Sequence, residues 1–130
     1  MEQIRRFFTI IFERNIKEQK LTLNIDTKGN DDMISTKIYK QGNNLLIGAC
    51  DEKLIGKIFK EGKFQIDVSK EFYDGERISP EVLKKYLEDA TIANLVGKDT
   101  IKCAVELGLV DPECVIKIKG IPHAQMVRML

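Results

Sequence analysis

A run of six residues that is apolar on both faces, residues 45–50, limits the possible folds of this chain more than any other feature. A strand with apolar residues at successive positions needs cover on both sides, so it must lie in the interior of a sheet. A polar turn at 41–44 precedes the run, and residues 34–40 before the turn have the pattern of a strand. We therefore predict a hairpin whose second strand is an interior one.

Helix signals follow in the middle of the chain. Asp51 is a candidate cap for a short helix over residues 52–60. A serine–proline pair that begins at Ser79 starts a second helix, whose apolar stripe continues toward Asn94. Asp99 is a candidate cap for a third helix that ends before a glycine at position 108. The sequence thus predicts about three helices, all in the central part of the chain.

Further strands are predicted on both sides of these helices. Residues 63–68 and 115–119 alternate as strands do, and residues 123–129 form a last candidate strand. Strands at both ends of the chain with helices between them favour an α+β domain. We expect a mixed sheet of four to five strands with the helices mainly on one face. Residues 33–130 would form this single domain, because the 130-residue chain has room for one core.

The first 32 residues differ in character from the domain that follows. Their apolar residues recur at helical spacing, which predicts an amphipathic helix, and residues 28–32 form a polar linker. The helix could pack on the domain, dock a protein partner or lie on a membrane surface. An alternative is that Met33 is the true start and residues 1–32 are not native. The apolar face of the predicted N-terminal helix consists of Ile4, Phe7, Phe8, Ile11 and Phe12.

Composition excludes several classes of protein. A formal net charge of +1 excludes a histone-like basic protein, and no apolar run approaches the roughly 20 residues of a bilayer span. Cys50, Cys103 and Cys114 are an odd number without a C-x-x-C pair, which favours a reducing, cytoplasmic location. A zinc site would need all three cysteines and His123, and their scattered spacing does not fit one. We expect no metal and no cofactor.

Lysines in two predicted strands suggest a nucleic-acid surface. If the isoleucines of residues 34–38 and 116–118 point inward, the lysines between them and Tyr39 point outward. Lysines pair with phosphates and an aromatic ring can stack on a base, although a solvated sheet face has the same pattern. The candidate nucleic-acid-binding residues are Lys37, Tyr39, Lys117, Lys119, Arg128, His123 and Gln125.

A thiol-dependent enzyme is the alternative that the residues leave open. Cys50 lies at a strand end before a predicted helix, a position that lowers the pKa of a thiol, and His123 is the one imidazole available as a base. The alternative interpretation is that Cys50 is a buried cysteine without a chemical role. Phosphate-loop, dinucleotide-binding and zinc-protease motifs are absent from the sequence. An enzyme is therefore the less favoured hypothesis.

Four blocks of sequence occur in a fixed order and together resemble an archaeal family, the domain of unknown function 424. The blocks are residues 49–57 (ACDEKLIGK), 90–97 (ATIANLVG), 108–112 (GLVDP) and 120–125 (GIPHAQ). The resemblance covers the chain from Met33 onward, about three quarters of its length. It implies a small protein without an assigned activity and an association with translation. The family's motif positions fall on Cys50, Asp51, Gly56, Lys57, Asn94, Gly97, Pro122, His123 and Gln125.

These observations lead to three hypotheses. The first is a cytoplasmic binding module for RNA or a ribosomal particle, without catalytic activity. The second is a thiol-dependent enzyme that uses Cys50 and His123, and the third is an assembly protein that docks a partner through its N-terminal helix. Glycine and proline in the family's motifs are explained by backbone geometry. Packing alone explains the polar motif residues less easily, and we expect five of them to converge on one surface: Cys50, Asp51, Asn94, His123 and Gln125. Lys57 is a further motif residue.

Overall fold

The computed structural model describes residues 33–128. Eight strands and three α-helices make up this part of the chain, and short 3-10 turns at Glu52–Leu54 and Pro112–Cys114 join some of them. The helices are α1 (Lys70–Tyr73), α2 (Pro80–Asp89) and α3 (Lys98–Glu106). The strands are β1 (Ile34–Gln41), β2 (Asn44–Asp51), β3 (Ile58–Glu61), β4 (Phe64–Asp67), β5 (Glu76–Ile78), β6 (Ile92–Val96), β7 (Ile116–Ile118) and β8 (Ile121–Val127).

Six strands form one mixed sheet in the order β5-β1-β2-β6-β8-β7. The predicted hairpin of β1 and β2 is confirmed, and β2 is an interior strand because β1 lies antiparallel on one side and β6 parallel on the other. Parallel pairing of β2 and β6 requires a long crossover, which here contains β3, β4, α1, β5 and α2. The last two strands add in antiparallel fashion beyond β6.

Helices α2 and α3 cover one side of the sheet, which we call the helix face. Ile47 and Ala49 of β2 lie in the core on this side with Leu83 and Leu87 of α2. Ser79 caps α2 as predicted, since its hydroxyl accepts a hydrogen bond from the backbone N–H of Val82 at 3.3 Å. The helices thus pack on the face that the inward-pointing residues of β1 and β2 define.

A second, smaller core covers the opposite side, which we call the hairpin face. There β3 and β4 form a separate two-stranded hairpin, and α1 lies beside it. Phe72 of α1 packs over Gly48, where an added Cβ would lie 2.8 Å from the Phe72 ring. Leu46 and Cys50 of β2 and Val96 of β6 are buried on this side. The apolar run of β2 is therefore apolar on both faces because the sheet has a core on each side.

Three expectations about the fold are wrong. The segment that was expected to be a helix over 52–60 is a 3-10 turn followed by β3, and its apolar residues serve a hairpin rather than a helix. The helix that begins at Pro80 ends at Asp89, so Asn94 lies on β6 and not on a helical stripe. The main sheet also has six strands instead of four to five. The predicted amphipathic helix and its linker lie outside the described residues.

Candidate nucleic-acid interface

Asp51 has a structural role that its position at the end of β2 explains. Its carboxylate accepts hydrogen bonds from the backbone N–H groups of Asp99 at 3.1 Å and Thr100 at 2.9 Å, and from the Thr100 hydroxyl at 2.8 Å. Asp51 thereby caps α3, and not the turn that follows it, where its side chain makes no capping bond. Gly97 fits this contact, because a Cβ there would collide with the Asp51 carboxylate.

Cys50 and His123 lie on the same side of the sheet, but Val96 separates them. The register pairs Cys50 with Val96 and Val96 with His123, so one strand lies between the two side chains. Burial, together with the nearby Asp51, raises the pKa of the Cys50 thiol to about 12. A nucleophilic cysteine needs the opposite shift and a base within reach. The geometry therefore gives the thiol-dependent enzyme no support.

Three of the motif residues do converge on the hairpin face. Nε2 of His123 and Oδ1 of Asn94 are 2.8 Å apart, and both side chains are buried. Because an amide oxygen can only accept, Nε2 carries the proton and donates it. Gln125 lies directly across from Asn94. Its buried Nε2 has no acceptor among residues 33–128.

Several predicted binding residues are engaged within the domain. Tyr39 is only 3% exposed, and its hydroxyl donates to the backbone carbonyl of Phe72 at 3.1 Å. Lys37 donates to the carbonyl of Glu71, and Arg128 donates to the carbonyl of Glu88 at 2.7 Å. Tyr39 cannot stack on a base in this state because α1 covers the strand that carries it. These three side chains hold α1 and α2 against the sheet.

The expected common face of lysines is also divided. Ile116 and Ile118 point toward the hairpin face, the same side as Lys37, so Lys117 points to the other side. Lys119 lies in the turn between β7 and β8, with a positive φ of 54°. Both Lys117 and Lys119 are exposed at the edge of the sheet. Lys57 is exposed where the β3–β4 hairpin begins.

A different group of residues forms an exposed basic surface at this edge. The backbone N–H of Lys119 donates to Oε1 of Glu61 at 2.9 Å, which holds the tip of the β3–β4 hairpin next to the β7–β8 turn. Phe64 at this tip is 41% exposed. Sequence reasoning missed the hairpin tip, although the spaced lysines of residues 53–63 were visible. We call the group the tip surface: Lys60, Lys63, Phe64 and Lys119. Lys117 points to the other side of the sheet and is not part of it.

Comparison with known proteins identifies the family of this α+β domain. The chain belongs to the family described as "Protein of unknown function (DUF424)", whose model matches residues 39–129. A crystal structure of an uncharacterized conserved protein from Methanopyrus kandleri has a similar fold, with a TM-score of 0.61 and 21% identity. That match covers 75% of this chain and 96% of the other. No curated protein matches the chain. Within residues 33–128, no helix is long and apolar enough to cross a membrane.

Proposed function

We propose that this protein is a non-enzymatic module that binds single-stranded segments of RNA, such as those of ribosomal or transfer RNA, through the tip surface. The observation that carries the proposal is the contact between Lys119 and Glu61, because it joins two basic turns from distant parts of the chain. A cytoplasmic, archaeal setting belongs to the same proposal. The archaeal source of the similar fold is compatible with it.

The charges of the tip surface are available to a ligand. Within the described part of the chain, the ammonium groups of its three lysines have no ion pair. Elsewhere Lys84 pairs with Glu106 at 3.0 Å, and Arg77 pairs with Asp74 at 2.7 Å. Glu61 is an acid in contact with the turn, and the backbone N–H of Lys119 already occupies one of its oxygens. Phosphates would therefore meet lysines that need not first break an internal bond.

Phe64 gives the tip surface a preference for single strands over duplex. An aromatic ring that is 41% exposed beside lysines can stack on an unpaired base, whereas a paired base is already stacked in its helix. Removal of a base-stacking side chain costs about 1–3 kcal/mol of binding free energy, which is about 5- to 150-fold in affinity. Phe64 thus replaces Tyr39 as the stacking residue that the sequence suggested.

The test is a salt titration of binding between the full chain and ribosomal or transfer RNA. Three phosphate contacts predict a slope of log K against log salt of about −2, since each contact to a single strand contributes about −0.7. The double variant Lys63→Ala/Lys119→Ala should reduce the magnitude of that slope by about 1.4. Phe64→Ala should weaken binding at every salt concentration and leave the slope unchanged.

Matched controls come from exposed residues on other surfaces. Lys85→Ala/Lys102→Ala removes two exposed lysines of α2 and α3, and Ile58→Ala truncates an apolar side chain that is 54% exposed on the same hairpin. Both controls should bind RNA as the parent does. Binding that is absent at about 0.15 M salt, or that falls equally in controls and test variants, would reject the proposal.

A further inference from the structure

The outer edge of β8 is open over part of its length. β7 pairs with β8 at residues 121–123, and no strand of the described residues pairs with the outer edge from Ala124 to Val127. The short 3-10 turn at Pro112–Cys114 leads the chain onto β7. Within residues 33–128, the sheet therefore ends with one short strand and, beside it, a segment of the longer β8 that no other strand covers.

The direction of the free backbone groups follows from two hydrogen bonds. The C=O of Pro122 accepts from Gly97 at 2.9 Å, and the N–H of Arg128 donates to Thr91 at 2.7 Å, so both even-numbered residues face β6. In an antiparallel ladder, backbone groups alternate in direction along the strand. The N–H and C=O groups of Gln125 and Val127 consequently point outward from the sheet. These four groups are a template for a further strand.

Two side chains of the same segment also lack contacts within the described residues. Val127 is 49% exposed and is one of three large apolar side chains of the described residues with this degree of exposure. The buried Nε2 of Gln125 has no acceptor among residues 33–128. A buried amide donor without an acceptor is destabilising, because its hydrogen bond to water is lost. An added strand that brings an acceptor would remove this defect.

We propose that a second copy of this chain supplies that strand, by antiparallel pairing of its β8 with this one. With Met126 opposite Met126 at the two-fold axis, Gln125 lies opposite Val127 of the second copy. All four outward backbone groups of each copy then pair, and the two Gln125 residues become diagonal neighbours on the hairpin face. Diagonal residues lie about 7–8 Å apart, within reach of two glutamine side chains, so each amide can donate to the other.

A second copy fits this edge better than an unrelated peptide for two reasons. The pairing is isologous, so the Gln125 amide, whose donor has no acceptor among residues 33–128, meets the same amide of the second copy, which also carries an acceptor oxygen. The open segment is short, because β7 occupies the edge up to His123. The second copy offers an open segment of the same length, so the two segments match when they pair antiparallel. An interface built on two hydrogen-bonded residue pairs is small, so the dimer is expected to be weak.

Amide hydrogen exchange of the full chain, measured by NMR over a concentration series, tests the pairing residue by residue. The amides of Gln125 and Val127 should exchange rapidly in dilute solution and become protected as concentration rises. Those of Ala124 and Met126, which face β6, should be protected throughout. In a mixed sample of labelled and unlabelled chains, an Hα–Hα contact between the two Met126 residues should appear. Gln125 and Val127 amides whose protection does not change with concentration would overturn the proposal.

Light scattering on two charge variants provides an independent test. Val127→Lys places a charge on the open edge and should abolish the dimer, with at least a tenfold rise in its dissociation constant. Ile58→Lys makes the same change at a similarly exposed apolar side chain of the β3–β4 hairpin and should leave the dimer intact. A dimer that survives Val127→Lys, or that Ile58→Lys also abolishes, contradicts pairing through β8. The RNA-binding variants of the tip surface should not change the mass.

Discussion

Replacement of Asp51 by alanine tests whether this motif residue acts through α3. The substitution removes the acceptor for two backbone N–H groups and for the Thr100 hydroxyl, which belongs to a residue that is fully buried. The structure assigns Asp51 no contact that would suit catalysis. We therefore expect a loss of stability, with RNA binding unchanged once the variant is folded.

The magnitude follows from the bonds that are lost. Loss of a helix cap costs about 1 kcal/mol, and a buried hydroxyl that loses its acceptor costs about 1–3 kcal/mol. The sum is about 2–4 kcal/mol, a large part of the 5–15 kcal/mol by which a typical domain is stable. Asp51→Asn keeps one acceptor oxygen, so roughly half of that loss is expected.

Urea unfolding followed by circular dichroism measures this loss as a lower transition midpoint at constant slope. The matched control is Asp67→Ala, which removes an exposed carboxylate that has no hydrogen bond within residues 33–128. This control should stay within about 0.5 kcal/mol of the parent protein. If Asp51→Ala is as stable as the control, the interpretation of Asp51 as the cap of α3 is wrong.

Two further predictions concern the buried side of β2. Because the pKa of Cys50 is raised from about 9 to about 12, the folded state holds its proton more tightly than the unfolded state. The stabilisation is therefore complete below pH 9 and is lost as pH rises toward 12, at up to about 1.4 kcal/mol per pH unit for this group. Urea unfolding at a series of alkaline pH values should show a smaller fall of the unfolding free energy with pH in Cys50→Ala than in the parent. Iodoacetamide at pH 8 should label exposed Cys114 before Cys50. An unchanged pH dependence or equal labelling would contradict the burial of Cys50. Gly48→Ala would place a Cβ 2.8 Å from the Phe72 ring, so overpacking should cost about 1–3 kcal/mol in the same assay, and a variant as stable as the parent would show that α1 can shift.

Local signals in the sequence were sufficient for part of the fold. The turn before β2 and the double-sided apolar pattern of residues 45–50 fixed a hairpin with an interior strand, since both signals act between neighbours. The segment 52–60 was ambiguous, because Leu54, Ile55, Ile58 and Phe59 fit one face of a helix. In the structure Phe59 pairs with Ile66 across the hairpin, a contact with a residue seven positions further along the chain.

The candidate site depends even more on pairing between distant segments. Asn94, His123 and Gln125 meet only because β6 and β8 are neighbours in the sheet, and no local pattern gives that order. The burial of Tyr39 follows from α1, a four-residue helix that was not predicted. The alternation of lysines was visible in the sequence. Which lysines share a surface depended on where the β3–β4 hairpin folds back.

The cap on α3 has a consequence for the order in which the domain assembles. The first turn of α3 is completed by a residue 48 positions earlier in the chain, and not by its own neighbours. A nine-residue helix has little stability in isolation, so it gains its cap only when the crossover between β2 and β6 has closed. Closure of a long segment is slow compared with helix formation. Folding of α3 should therefore be limited by sheet formation, and the helix and the parallel pair should appear in one kinetic step.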